Sequence, residues 1–272
     1  MPDHEEERRL HREGELSLQN YEELMSLRKP VLSDGEVYPV LRRAIVELYL
    51  QPGAIMSIKD ICEHFQIGRS PVRDALMKLD QEGLVTLLPQ RGTMISQIDL
   101  ARVAQERFLR LSVEEEVMKL FMACHTPSDI TPLQEGLWQQ QALCDQKDTD
   151  IRRFLWLDDE FHQVFYAVTG KLFCLQAIQN VGGHYRRMRL LTCGTTSIQE
   201  IVRQHSALIT ALQARDTELM CNIFHYHLRK LDREEKLVMK KYPYLFKSDR
   251  NQGSSSPLWG ADYLQTLRNN IE

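Results

Sequence analysis

No stretch of the 272-residue chain approaches the roughly 18–20 consecutive apolar residues of a membrane-spanning helix, and mean hydropathy is −0.39. No apolar segment opens it either, since MPDHEEERRLHREGE is charged where a secretory signal would be hydrophobic. Glycine and proline are sparse, 13 and 10 residues, which excludes collagen-like and Pro/Gly-rich disordered chains. Cys62, Cys124, Cys144, Cys174, Cys193 and Cys221 are scattered with no C-x-x-C pair, so reduced, mostly buried thiols are expected rather than a disulfide framework. An excess of basic charge is missing as well: net charge is −4, and any nucleic-acid contact has to come from one local face. What remains is a soluble, cytoplasmic protein. At roughly 100–150 residues per domain the length allows two modest domains.

Residues 1–34 hold nine acidic and five basic side chains and a weak apolar pattern (Leu16, Tyr21, Leu24, Leu27), and read as a flexible arm. Residues 35–99 change periodicity several times. Val37–Leu50 has helical spacing and stops at Gln51-Pro52-Gly53. Ser57 offers an N-cap for Ile58–Phe65, and Ile67-Gly68 breaks that helix. Ser70-Pro71 supplies a capping residue and a proline for the start of the next, lined inside by Val72, Ala75, Leu76 and Leu79. Two β-rich pieces, Leu84–Leu88 and Thr93–Ile98, flank Pro89-Gln90-Arg91-Gly92. Helix, helix–turn–helix and β-hairpin is the layout of a winged helix–turn–helix, with a small α+β subdomain as the plain alternative.

If the leucine stripe faces inward, Arg69, Arg73 and the hairpin-tip Arg91 face solvent. A recognition helix enters the major groove N-terminal end first, where arginine bonds guanine O6 and N7 bidentately. Ser70 and the free N–H groups of that turn suit a phosphate, and Arg91-Gly92 could reach the adjacent minor groove. An ordinary solvated face is the alternative, because residues 35–99 carry seven basic and eight acidic groups.

Residues 100–242 show no strand signal. Breakers divide them into six helical segments, near 100–125, 128–146, 149–169, 171–192, 196–214 and 216–241, whose short connections predict an antiparallel bundle. Residues 243–272 form a tail, in which Leu258, Trp259, Tyr263 and Leu264 could dock. Within the bundle, Asp158 and His162 share one helix face with Phe154, Phe161 and Phe165. His205 and His227 lie at nearly equal offsets from the turn near residues 215–216, roughly 15–17 Å along their helices at 1.5 Å per residue, so an antiparallel pair brings them level. Three imidazoles and a carboxylate suit a divalent ion, zinc foremost, with nickel, manganese or iron also accommodated. The alternative is that each histidine is simply hydrogen-bonded in place. His125, His184 and His225 lack matching partners, although His184 with Tyr185 and Arg186 could line the same cavity.

With these residues assigned, the chain resembles GntR-family transcription regulators of the FCD subgroup, named for the C-terminal domain of the fatty-acid regulator. RSPVRDAL at 69–76, QEGLV at 81–85 and PQRG at 89–92 carry the DNA-binding signature. RLSVEEE at 110–116, LDDEFHQVFYAVTG at 157–170, QHSALITALQARD at 204–216 and HYHL at 225–228 resemble the FCD helices. The resemblance implies a homodimer on a palindromic double-stranded DNA operator. It implies DNA contacts at Arg69, Ser70, Arg73, Arg91 and Gly92, and metal ligands at Asp158, His162, His205 and His227. Two departures are Gly68, where the family usually has serine, and Lys171, where it often has asparagine. Arg110 and the cluster Arg186, Arg187, Arg189, with Arg187 at its centre, are the candidates for a small carboxylate effector, which arginine binds through parallel N–H groups. No catalytic residue is expected. The rival is a metal-dependent hydrolase or lyase, for which neither an H-E-x-x-H motif nor an evident spare carboxylate exists.

Overall fold

A computed structural model describes residues 33–147 and 149–247. The arm through residue 32 and the tail from 248, with the apolar residues noted in each, lie outside the described residues. The first unit runs α1 (Val37–Val46), β1 (Ile55–Met56), α2 (Ile58–Phe65), α3 (Arg69–Gln81), β2 (Val85–Leu88) and β3 (Gly92–Ile95). Its core is the stripe expected from periodicity: Leu41, Ala44 and Ile45 of α1 meet Ile61 and Phe65 of α2 and Val72, Leu76 and Leu79 of α3.

Helix α1 is shorter than its pattern. Leu48 turns left-handed at φ 58°, and the N–H groups of Tyr49 and Leu50 both return to the Ala44 carbonyl. That closure folds Leu50 back into the core, where it is buried. Ser57 caps α2 by accepting from the Asp60 N–H at 3.0 Å. The cap of α3 is Gly68, not Ser70, so Ser70 and Pro71 lie inside its first turn and no side chain bonds the helix start. The hairpin gains an unforeseen third strand. The order is β1-β3-β2, all antiparallel, with Ile55 opposite Met94 and Val85 opposite Ile95. Gly92, at φ +109°, passes so close beneath β1 that a Cβ would sit 2.6 Å from the Met56 carbonyl oxygen.

The second unit is helical: α4 (Leu100–Cys124), α5 (Pro127–Cys144), α6 (Ile151–Val168), α7 (Leu172–Val181), α8 (Gly183–Cys193), α9 (Gln199–Gln213), α10 (Thr217–Leu228) and α11 (Lys230–Lys241). Two expected helices are each broken in two. The 216–241 segment breaks at Arg229, and the 171–192 segment at Gly182–Gly183. The second break has a packing reason: α8 presses on the first unit so closely that a Cβ on Gly183 would meet Leu84 at 2.8 Å. Phe121, Phe161, Phe165, Leu208, Leu212 and Phe224 are among the residues filling the bundle core.

The two units are stitched together by polar groups. His184 Nδ1 accepts from the Asp99 N–H (3.0 Å) and from Arg187 (3.0 Å), which leaves the proton on Nε2 to donate to the Gly83 carbonyl at 3.2 Å. Arg187 also donates to the Ser96 carbonyl at 2.6 Å. Arg42 of α1 pairs with Glu82 and donates to the Gln179 and Asn180 carbonyls at the end of α7. After a short 3₁₀ turn (Pro243–Leu245) the chain returns to the inter-unit linker, where Ile98 and Phe246 form a parallel bridge.

Candidate nucleic-acid interface and metal centre

Arg69, Ser70 and Arg73 are exposed on the first turns of α3, and Arg91 is exposed at the tip of the β2–β3 hairpin. They face outward because the intervening Val72, Ala75 and Leu76 fill the core on the opposite side. Gly92 is half-buried, and its contact with Met56 accounts for the absence of a side chain there.

The other constellation is buried. Asp158 and His162 on α6, His205 on α9 and His227 on α10 offer four ligand atoms, all within 4.8 Å of one another. The rings of His205 and His227 are 4.8 Å apart between centroids, the levelling anticipated from their equal offsets. His205 Nε2 faces Asp158 Oδ1 at 3.5 Å, and His162 Nε2 lies 3.1 Å from His227 Nε2.

Surrounding groups set the tautomers. Gln140 on α5 donates to the Leu157 carbonyl at 3.2 Å, so its Oε1 is the atom that accepts from His205 Nδ1 at 2.7 Å. Gln204 likewise donates to Glu200 at 3.0 Å and presents Oε1 to His227 Nδ1 at 2.9 Å. Both imidazoles therefore carry the proton on Nδ1 and turn a bare Nε2 toward the centre. Glu114 Oε2 faces His162 Nδ1 at 3.6 Å, and Arg189 holds the second oxygen of Asp158.

Burial pushes the pKa of His205 down to about 4 and those of His162 and His227 well below the usual imidazole value. Burial alone would raise Asp158. The Arg189 guanidinium overcomes it and holds the carboxyl below the normal range. The cluster at neutral pH is thus one carboxylate and three neutral imidazoles. Asp158 Oδ1, His205 Nε2, His162 Nδ1 and Glu114 Oε2 are buried with no hydrogen-bond partner. Of these, Asp158 Oδ1 and His205 Nε2 face each other at the centre with partners behind their side chains, and such orphaned acceptors are what a divalent cation requires. The residues present fit such an ion. The remaining histidines lie elsewhere: His125 bonds its own helix at the Phe121 carbonyl, and His225 pairs at the surface with Glu115.

A cavity of about 240 Å³ adjoins the cluster through His162. Arg110, Tyr185, Arg186 and Arg189 line it, and its opposite wall is Arg42, Val46 and Glu47 of the first unit. Arg110 is already paired with the buried Glu114 at 2.9 Å. Arg187, taken from the sequence as an effector residue, does not line the cavity. It is fully buried and bonded to Ser96 and His184, because α8 turns that face toward the first unit. His184 faces the same way, whereas its neighbours Tyr185 and Arg186 do reach the cavity. Glu47, Arg42, Glu114, Gln140 and Gln204 escape sequence reasoning. Gln204, beside His205 on an apolar face, is the one with a local signal.

An exposed recognition helix with its wing, joined to a bundle with a polar core, defines a DNA-binding transcription regulator. Comparison with known proteins agrees. Residues 34–95 match the bacterial regulatory proteins of the gntR family and residues 107–230 the FCD domain. The HTH-type transcriptional repressor RspR of Escherichia coli (strain K12) is 30% identical over 207 residues, spanning 76% of this chain and 90% of that protein. An HTH-type transcriptional regulator of Streptomyces ambofaciens is 31% identical over 215 residues, spanning 79% and 89%. The solved structure of E. coli McbR/YncC shares the fold, with TM-score 0.62 at 18% identity over 78% of this chain and 100% of that one. The chain belongs to the GntR family of bacterial transcription regulators and carries an FCD domain.

Proposed function

We propose that this regulator is a cytoplasmic homodimer that reads a palindromic operator and responds to a small organic acid bound beside a divalent metal. The observation that carries the reading is the cavity: it touches the His/Asp cluster on one side and the DNA-binding domain on the other. Asp158, His162, His205 and His227 would hold the ion, zinc foremost, which supplies a positive centre for an oxygen of the acid. Arg110, Arg186 and Arg189 line the cavity beside the cluster, and a guanidinium presents parallel N–H donors that match a carboxylate. Asp159 is engaged by both Arg186 and Arg189, and Glu114 is tied to Arg110 through one oxygen, which supports a sensor over a hydrolase needing a free general base.

On the DNA side, Arg69 and Arg73 would read bases, Ser70 a phosphate, and Arg91-Gly92 the neighbouring minor groove. For the dimer, Phe108, Leu109 and Leu120 stand exposed on α4 and would be apolar contacts for a second copy. Among the described residues no helix is long and apolar enough to cross a membrane.

Thermal unfolding tests the sensor half. Metal-stripped protein is melted against zinc, nickel, manganese and iron, and the loaded protein against small acids. A ligand at 100 times its Kd stabilises by about 2.7 kcal/mol. Stabilisation by metal and then further by an acid is expected. No shift with either would reduce the bundle to a dimerisation platform.

A further inference from the structure

The cavity wall supplied by the DNA-binding domain ends in Glu47, one residue past α1. Its carboxylate accepts from Arg186 Nε and Nη2 at 3.0 and 3.3 Å, and its backbone carbonyl accepts from Arg152 Nε at 2.8 Å. The pairing continues inward. Arg186 also binds Asp159, Asp159 binds Arg189 at 2.7 Å, and Arg189 binds Asp158 of the cluster. One unbroken ion-pair chain therefore runs from a candidate metal ligand to the DNA-binding domain along the cavity.

Charge bookkeeping limits what happens when an anion enters. Of the four cavity guanidiniums, Arg42 is committed to Glu82 and to the Gln179 and Asn180 carbonyls, while Arg110, Arg186 and Arg189 face Glu47, Glu114, Asp158 and Asp159, so no guanidinium stands without a resident acceptor. A further carboxylate has to take N–H donors from one of them. Glu114 and Asp158 are buried within the bundle, and Asp159 is clamped between two arginines. Glu47 is the one whose backbone belongs to the other domain. His184 and Arg187 hold Gly83 and Ser96, Arg42 holds the end of α7 and Arg152 holds the Glu47 backbone carbonyl, so losing the Glu47 carboxylate loosens one contact and keeps the others.

We infer that Glu47 is a built-in stand-in for the effector's carboxylate: it occupies Arg186 in the ligand-free protein and latches the DNA-binding domain down, and a carboxylate entering the cavity displaces it and releases that domain. The latch rests on the proposed acid-binding reading for its trigger, but its contact is testable without any ligand.

The test uses the zinc-loaded full chain carrying spin labels, introduced as unnatural amino acids, at the exposed positions Met77 on α3 and Trp138 on α5. Pulsed EPR should give a narrow interdomain distance in the wild type. Glu47→Gln, Arg186→Gln and the double variant should each broaden it, because each removes the ion pair between the two domains, with Arg186→Gln losing its Asp159 pair as well. A distance as narrow in Glu47→Gln as in the wild type overturns the latch, whatever any ligand does. Succinate is the probe for release. It should broaden the wild type, leave Glu47→Gln unchanged, and bind Glu47→Gln tighter by roughly the 5- to 150-fold typical of allosteric coupling, since the competitor is gone. If succinate binds by calorimetry and the wild-type distance stays narrow, release is overturned while the acid-binding reading stands. If Glu47→Gln broadens but neither protein binds succinate, the displacement half falls together with that acid-binding reading.

Discussion

The two functional regions of this protein solve opposite problems. On α3 and the wing the side chains that matter are exposed, and the fold beneath needs only to aim them. In the bundle Asp158, His162, His205 and His227 are buried, and Arg189, Gln140 and Gln204 decide which atoms Asp158, His205 and His227 present. An outward site is specified by a few residues on a rigid face. An inward site has to be specified together with its surroundings, because an unpartnered buried polar group costs about 1–3 kcal/mol.

That contrast can be broken first with acid. His184 binds both domains as a neutral ring, its pKa lowered to about 3 by burial and by Arg187. Between pH 6.5 and 3 the unfolded chain binds this proton and the folded chain does not, so stability rises with pH and is lost on acidification. The slope is about 1.4 kcal/mol per pH unit for this group over that window. Urea melts from pH 7 to 4 should show it, and His184→Gln should flatten it. A slope unchanged in the variant would remove His184 from the account.

At the outward site, Arg73→Ala should weaken binding to the cognate operator by about 1–3 kcal/mol if it reads a base. An equal loss on every sequence in gel-shift titrations would demote it to a phosphate contact. At the inward site, Gln140→Leu should weaken zinc binding about 10- to 100-fold in competition with a chelator, as loss of a partner behind a ligand does, while Gln140→Glu keeps an acceptor and most of the affinity. Equal affinity in Gln140→Leu would mean that His205 needs no orienting partner. The smallest effect belongs to the cap of α3. Gly68→Ser has room, its nearest neighbour being Pro71 Cδ at 3.9 Å from a built Cβ, and should raise the melting point by only a few tenths of a kcal/mol in stability.

The same contrast explains what could be read in advance. Helical spacing placed α2 at Ile58–Phe65, and equal offsets from one turn brought His205 level with His227, because both follow from local periodicity. The failures sit where distant chain segments meet. Strand β1 is two residues long and exists only because β3 lies beside it. The break at Gly182–Gly183 answers to Leu84, about a hundred positions away, and Arg187 turns toward the first unit for the same reason. In the sequence Glu47 is one charge near the end of an amphipathic helical stretch. Nothing local marks it as the partner of Arg186, 139 positions further on.

The bridge between Ile98 and Phe246 gives the molecule a mechanical property. The Ile98 N–H donates to the Leu245 carbonyl at 2.8 Å, and the Lys247 N–H donates to the Ile98 carbonyl at 3.0 Å. The entry to the bundle and its last described residues are thereby riveted at one point, beside the only covalent link to the DNA-binding domain. Tension on that domain loads the rivet in shear instead of unwinding α4 from its end, so the joint resists being stretched.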